Sequence, residues 1–422
     1  MSTAERSPSA LRNPTVRRIF CSDFVSRIGS SMSALALPWF VLVSSHSATR
    51  MGLVFAIELA PTAILGIPAA RLVEKLGVRR TVVYGDALQA VLYALLPILH
   101  QAGLLPFWLL LVIVAITGAI SAPYFTAQRL LLPEALGTDS AEITAANAWI
   151  EGSTWSARLI GPAVAGALIA AIGAMNVIWI DGVSFVVSAA LLYGLPKRAT
   201  VPPPSTQSGQ LEGVRYVTRD SVVGRITLAA TLYGLFVPVI VMAMPILALQ
   251  RYNADPHVAG WLASAWGGGA VAGSLLVAPL VKRMAPLRLG AVAGIPAAAA
   301  LWFLAPALPA YGAAIALLIS GISTPLINAP LISVLSTRPP GHLVAQVISL
   351  VVTANLIAGP VAYLAAGPLF SGYGPGPVMT GVAVGFTVAA CILVSLGGWR
   401  TPVVIPQTAD DTEASAPAED VV

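Results

Sequence analysis

The sequence predicts an all-α membrane protein of twelve transmembrane helices arranged as two bundles of six. Three observations carry the prediction. Of 422 residues, 57% are hydrophobic and 10% charged, with a mean hydropathy of +0.83, whereas about a quarter of a soluble domain is charged. Polar breaks divide the chain into twelve apolar stretches, each near the ~20 residues that a helix needs to cross hydrocarbon. The basic residues are also placed unevenly. Nineteen of the 23 Lys and Arg fall in the N-terminal tail, in the even-numbered gaps between stretches or after the last one. The odd gaps hold only Arg50 and Arg251, and Arg27 and Arg158 lie inside spans. Lys and Arg are retained in the cytoplasm, so both termini are expected there, with an even number of crossings in a bacterial inner membrane.

The spans fall at 17–43, 51–72, 81–101, 106–128, 143–171, 175–196, 225–249, 257–281, 288–307, 309–335, 343–370 and 376–398. The first is long, lacks a small-x-small cleavage site and is followed by eleven more, so it does not read as a cleaved signal. Residues 1–16 form a cytoplasmic tail, 17–196 the N-terminal bundle and 225–398 the C-terminal bundle. Between them, the 197–224 linker opens on Pro202-Pro203-Pro204-Ser205 and continues into Leu211–Val217, which reads as a short amphipathic helix on the membrane surface. The tail 399–422, with Asp410, Asp411, Glu413, Glu419 and Asp420 among Ala, Pro and Thr, has a disordered composition.

The halves echo one another. Gly118-Ala-Ile-Ser-Ala-Pro123 in span 4 answers Gly321-Ile-Ser-Thr-Pro325 in span 10, and Leu159-Ile160-Gly161-Pro162 in span 5 answers Leu356-Ile357-Ala358-Gly359-Pro360 in span 11. The gaps after spans 2 and 8 are both basic. Two six-helix halves related by a parallel repeat bind their ligand near the midplane, where the halves meet.

The gap after span 2 reads Ala70-Arg71-Leu72-Val73-Glu74-Lys75-Leu76-Gly77-Val78-Arg79-Arg80. It resembles the signature of the major facilitator superfamily, with Ala70 where Gly is usual and Glu74 where Asp is usual, while Gly77, Arg79 and Arg80 fit. From Gly118 to Leu192 the order Gly118…Pro123…Gln128-Arg129…Leu132-Pro133…Ala145-Ala146-Asn147…Arg158-Leu-Ile-Gly161-Pro162…Gly166…Ser184-Phe185 is similar to the branch that exports macrolides and siderophores. The resemblance implies the major facilitator fold and an exporter, and leaves the substrate open. In such a fold Glu74, Gly77, Arg79, Arg80 and Asp86 are expected to form a cytoplasmic gate that holds the outward-facing state. Plain positive-inside topology is the alternative, and it explains Arg79 and Arg80 without any gate.

Ionisable groups in hydrocarbon each cost at least ~2.5–3.5 kcal/mol, so each is a candidate functional residue. Asp23, Arg27, Glu58, Asp86, Glu151, Arg158 and Asp181 qualify, all in the N-terminal half. Asn147, Glu151, Thr154 and Arg158 share one face of span 5, with Trp155 beside it. A carboxylate held by Arg158 stays ionised, and once the arginine swings away its apolar surroundings favour taking up a proton. A static ion pair is the alternative. Glu58, beside Pro61 and Thr62, is a second protonatable group, and Asp181, with Ser184 and Ser188 on its face, is either a core hydrogen-bonding group or a functional one. Asp23 and Arg27, spaced i, i+4, read as a local ion pair. The proton-coupling candidates are therefore Glu58, Glu151, Arg158 and Asp181.

Tyr124, Gln128, Asn147, Trp155 and Asn328 are expected to face a wide cavity for a bulky, mostly apolar ligand. Gly161, Pro162 and Gly166 are expected to bend or thin span 5. Cys21 and Cys391 read as small packing residues. His46, His100, His257 and His342 are scattered without metal-ligand spacing. With no HExxH, no GxSxG and no lysine (Lys75, Lys197, Lys282) in a GxxxxGK[ST] loop, neither an enzyme nor an ATP-driven pump is supported. The expected partners are a small-molecule substrate, protons and the lipid bilayer, with no cofactor, no metal and no nucleic acid, and a monomeric chain. A proton-coupled importer and a non-transporting membrane binding protein are the alternatives.

Overall fold

A computed structural model describes residues 12–136, 140–194 and 210–396, so most of the N-terminal tail, the Pro-rich start of the linker and the C-terminal tail lie outside the described residues. The described chain folds into fourteen helices: α1 (Pro14–Ser45), α2 (Ala48–Ile64), α3 (Gly66–Leu76), α4 (Val78–Gln101), α5 (Phe107–Leu136), α6 (Ser140–Ile172), α7 (Ala174–Tyr193), α8 (Gln210–Arg219), α9 (Ser221–Arg251), α10 (Pro256–Val281), α11 (Pro286–Leu304), α12 (Ala310–Thr337), α13 (Gly341–Tyr373) and α14 (Pro375–Leu396). Eleven of these are long and apolar enough to cross a membrane, and twelve crossings result if α2 and α3 count as one broken span.

That break corrects the straight second span. α2 stops at Ile64, and the chain turns by 70° into α3. Pro68, in the first turn of α3, has no N–H to return to the Ile64 carbonyl, which ends the helix there. The basic signature therefore lies on a helix, where a loop was expected. α3 ends at Gly77, whose φ of 82° suits glycine alone. Its carbonyl then accepts both the N–H and the hydroxyl of Thr81, starting α4.

The two halves repeat one packing scheme. In the first bundle α1 packs on α6 and α7, α4 on α7, and α5 on α2 and α4. In the second, α9 packs on α13 and α14, α11 on α14, and α12 on α10 and α11. The turns α6–α7 and α13–α14 pass through Gly173 (φ 85°) and Gly374 (φ 75°), at equivalent places in the repeat. Large apolar side chains such as Val91, Val183, Leu275, Ile295, Phe303 and Leu364 point outward, as a hydrocarbon solvent allows. α8 is the surface helix expected after the linker, and it packs on α13 and α9.

One end of the molecule, the basic end, carries Arg17, Arg18, Arg79, Arg80, Arg129 and Arg338. The far end carries Arg50 and Arg251, and both have local work. The Arg50 guanidinium lies 5.2 Å over the Phe107 ring. Arg251 donates to the carbonyls of Leu304 (3.0 Å), Ala305 (2.9 Å) and Pro306 (2.9 Å), capping α11. A cation on the exposed carbonyls of a helix C-terminus is favourable.

The bundles meet along two principal seams, α2–α13 and α6–α10, with smaller contacts from α1 to α9 and α10. In the first seam Phe55 stacks on Tyr363 at 4.6 Å, and Thr49 shares a 3.0 Å hydrogen bond with Ser371. In the second, Gly166 faces Gly260 so closely that a Cβ on Gly260 would stand 2.5 Å from the Pro162 carbonyl oxygen. Both seams run toward the far end. At the basic end α5 and α6 do not pack against α12 or α13, and Asn147, Ala148, Glu151 and Gly152 of α6 are exposed. The molecule is closed at the far end and open at the basic end.

Candidate functional site

The face of α6 that carries Asn147, Glu151, Thr154 and Arg158 lines a vestibule of about 760 Å³ that also includes Arg27 of α1 and Phe125, Gln128 and Arg129 of α5. Deeper, Arg27, Gln128, Thr154 and Arg158 also line a polar chamber of about 400 Å³ inside the first bundle. Glu58, Gln89, Tyr93, Ser121 and Tyr124 complete its wall. With Phe185 also in the wall, the structure brings together residues from all of the first six predicted spans. Glu58 sits ten residues along α2, about 15 Å from its start at the usual rise per residue, so it lies nearer the midplane than the far end. Its helix is held against α5, where Gly118 leaves room for the Glu58 carbonyl and Thr62 donates to the Gly118 carbonyl (3.4 Å). Among the described residues no ion pair reaches the Glu58 carboxylate.

Asp23 is more than half of a local pair. It does pair with Arg27 (Nε to Oδ2, 2.6 Å), but it also accepts from Gln128 Nε2 (2.7 Å) and from the Ser153 hydroxyl. With only 4% of its surface exposed, this carboxylate ties α1, α5 and α6 together at the vestibule wall. Its partners stand 105 and 130 residues away, so no helical spacing could reveal them.

Asp86 and Asp181 are fully buried. Asp86 belongs to a different cluster from the expected gate. Its Oδ2 accepts from Ser188 (2.6 Å), Ser188 shares a 2.7 Å hydrogen bond with Ser22, and the Tyr124 phenol lies alongside. Two turns along α4 from Val78, it packs inside the bundle and away from Arg79 and Arg80. Asp181 accepts from Ser184 (3.1 Å). Ser188, on the same face, has turned to Asp86.

The other gate candidates lie at the basic end. Arg79 donates to the Tyr193 carbonyl at the C-terminus of α7 and stacks over the Tyr193 ring at 5.8 Å. Arg18 reaches the next carbonyl, that of Gly194 (3.4 Å). Both contacts stay inside the first bundle. Glu74 and Arg80 are exposed, and no ion pair to either is present among the described residues.

Glu151 and Arg158 share the vestibule but form no ion pair within 4 Å. Arg158 instead stacks over Trp155 at 5.3 Å, an attraction between guanidinium and ring face. Trp155 thus holds the arginine and is not itself among the lining residues of the vestibule or chamber. Asn328 is exposed on α12 and lines neither space. Gly161 allows Ser31 of α1 to approach α6, where the Ser31 hydroxyl donates to the Ala157 carbonyl (2.9 Å). Gly166 and Pro162 form the crossing with α10. The glycines thin α6 for two neighbours, and their counterparts Gly260 and Gly267 on α10 carried no sequence signal beyond a Gly-rich helix. No group of His, Cys, Asp and Glu able to hold a metal is found among the described residues.

The family model described as the Major Facilitator Superfamily matches residues 19–363. The multidrug efflux pump Tap of Mycobacterium tuberculosis is 27% identical over 96% of this chain and 97% of its own length. The staphyloferrin A transporter of Staphylococcus aureus is 24% identical over 44% of this chain and 46% of its own. Among solved structures, a bacterial homologue of the iron transporter ferroportin in an inward-facing state superimposes with a TM-score of 0.71 at 16% identity, covering 93% of this chain and all of that one. The nucleoside transporter NupG does so with 0.70 at 11% identity, over 92% of this chain and all of its own.

Proposed function

The chain belongs to the major facilitator superfamily and is a transporter rather than an enzyme; from that premise we propose that it exports hydrophobic small molecules, driven by protons, through alternating access. The observation that carries the reading is the chamber: a carboxylate, Glu58, and an arginine, Arg158, neither with an ion-pair partner among the described residues, face one polar space that opens to one end of the molecule. An uncompensated charge at that depth is costly, and a proton removes the cost. A proton entering Glu58 and leaving on the other side returns ~2.3 kcal/mol per 100 mV of membrane potential, enough to drive a substantial gradient.

The multidrug efflux pump Tap, similar over nearly its whole length, supports export over import. With the basic end in the cytoplasm, as the distribution of Lys and Arg supports, the structure is the inward-open state of a monomeric inner-membrane carrier. Glu74, Gly77, Arg79 and Arg80 then act as the gate that engages when the basic end closes. In the open state Arg79 rests on the α7 carbonyls. Asp181, buried under Ser184, and Glu151, open to the vestibule, are secondary proton sites.

The test is proton-gradient dequenching in inside-out vesicles with a panel of hydrophobic antibiotics and siderophore-like compounds, comparing wild type with Glu58→Gln and Glu151→Gln. Dequenching that survives in E151Q and disappears in E58Q is the expected result. No dequenching by compounds shown to bind sinks proton-coupled export, and uptake driven inward by the same gradient identifies an importer.

A further inference from the structure

Arg158 stands where three cavities meet. Besides the vestibule and the chamber, it lines an apolar cavity of about 160 Å³ between the bundles, where it is the sole ionisable lining residue. Leu35 and Phe55 from the first bundle and Met244, Pro245 and Trp266 from the second form the walls. The Arg158 guanidinium takes part in no ion pair among the described residues. Trp266 contributes ring surface to the wall, while its indole Nε1 is buried away from the cavity. Ser31, the remaining polar side chain of the wall, donates its hydroxyl hydrogen to Ala157.

A wall whose sole ionisable group is an arginine, with no carboxylate, selects for an anion. A cation placed there is repelled by Arg158. The remaining surface is apolar, and its volume is close to that of the ~150 Å³ engineered cavity that stays dry and binds benzene. Arg158 belongs to the first bundle and Trp266 to the second, so an anion held by Arg158 with its apolar part packed on Trp266 would bridge the bundles just where the α6–α10 seam begins, at the Arg158 carbonyl against Gly267.

We propose that the substrate is an amphipathic anion, an aromatic ring or short branched hydrocarbon bearing a carboxylate. Its apolar part fills the cavity between Phe55, Met244 and Trp266, and its charge sits on Arg158. This rests on the transporter reading above and narrows the ligand from hydrophobic molecules in general to acidic ones.

The probes are 2-naphthoate, 2-naphthamide and 2-naphthylmethylammonium, which share a ring and differ in charge. Their binding to the purified full-length protein in lipid nanodiscs is measured by calorimetry. Wild type is expected to bind the carboxylate at least about tenfold tighter than the amide, some 1.4 kcal/mol, and the ammonium weakest. Arg158→Gln is expected to abolish the gap between carboxylate and amide while keeping amide binding, which also reports that the variant is folded. Arg158→Lys keeps part of the gap. Trp266→Ala removes apolar wall and weakens carboxylate and amide alike, by about tenfold or more, leaving the gap between them unchanged.

Amide or ammonium binding as tight as naphthoate in wild type, an unchanged gap in R158Q, or no binding of any of the three overturns the proposal. Should R158Q fail to fold, the wild-type charge order and R158K decide. Vesicle dequenching by neutral or cationic compounds with no preference for naphthoate would sink this proposal and leave export standing. The charge preference without any transport would do the reverse.

Discussion

Gly260→Ala places a methyl group in the tightest part of the α6–α10 seam. The new Cβ would lie 2.5 Å from the Pro162 carbonyl oxygen and 3.1 Å from the Gly166 Cα, about 0.8 Å short of the ~3.3 Å at which carbon and oxygen ordinarily touch. Both neighbours are backbone, so neither can rotate away, and the helices must separate. Overpacking of this kind costs about 1–3 kcal/mol. The strain exists only while the far end is closed, so the cost becomes a shift of roughly 5- to 150-fold in the ratio of the two states toward far-end opening. A Thr49→Cys/Ser371→Cys pair across the other seam reads that ratio as disulfide yield, in a background with Cys21 and Cys391 replaced by Ser. G260A should lower the yield and slow its formation. Gly152→Ala is the control: its Cβ meets nothing within 4 Å, so the state ratio should hold while helix stability rises by about 0.4–1 kcal/mol. Equal crosslinking in G260A and wild type would refute the assignment of this glycine crossing as the far-end closure.

Two further predictions concern the carboxylates that hold helices together. Asp23→Ala strands Arg27, Gln128 and Ser153 at once and should destabilise the first bundle by about 3 kcal/mol, the lower end for a broken buried pair, because the Arg27 side chain keeps 28% of its surface exposed. An unchanged melting temperature in detergent would show that the cluster does not hold α1, α5 and α6 together. At the basic end, Asp220 caps α9 through Val222 and Val223 and accepts from Arg338 (3.0 Å). Burial pushes its carboxyl up, but the two backbone N–H groups and Arg338 outweigh this and hold it below its usual 3.8. The folded-state value is the lower one, so its contribution is complete above pH 4 and disappears as pH falls through the depressed value. The melting-temperature difference between wild type and Asp220→Asn should be constant from pH 8 to pH 5 and shrink below pH 4. A difference that grows with acidification would contradict the assignment.

The sequence made the large features legible because the bilayer constrains them strongly. Span number, the basic end and the amphipathic α8 follow from length, Lys and Arg placement and period, while α5 runs eight residues past the predicted end of span 4, to Leu136. The α2–α3 break stayed hidden because Ile64 to Leu72 remains apolar across the bend, so hydropathy runs on where the helix axis does not. Pro61 and Pro68 were the available signal. Within the site, α6 was readable as one face because i, i+4, i+7 spacing is local. The Asp23 cluster exceeds what its i, i+4 spacing shows because its other partners are on distant helices, and Asp86 lies off the gate because two turns of α4 carry its side chain inward to Ser188. Tyr124 and Gln128 both line the chamber, and Gln128 already donates to Asp23. Trp155 has its role in Arg158, and Asn328 finds none in the three cavities.

The most direct test of the whole account separates proton coupling from substrate exchange in reconstituted liposomes. Wild type and Glu58→Gln are each loaded with a compound that binds the purified protein. The flux driven by an imposed pH gradient is then compared with the exchange of labelled for unlabelled compound without a gradient. The account predicts that E58Q loses gradient-driven flux by at least about tenfold, the effect of some 1.4 kcal/mol, and retains exchange, since alternating access survives without the proton. Gradient-driven flux in E58Q equal to wild type, or a wild-type flux indifferent to the gradient, would contradict it.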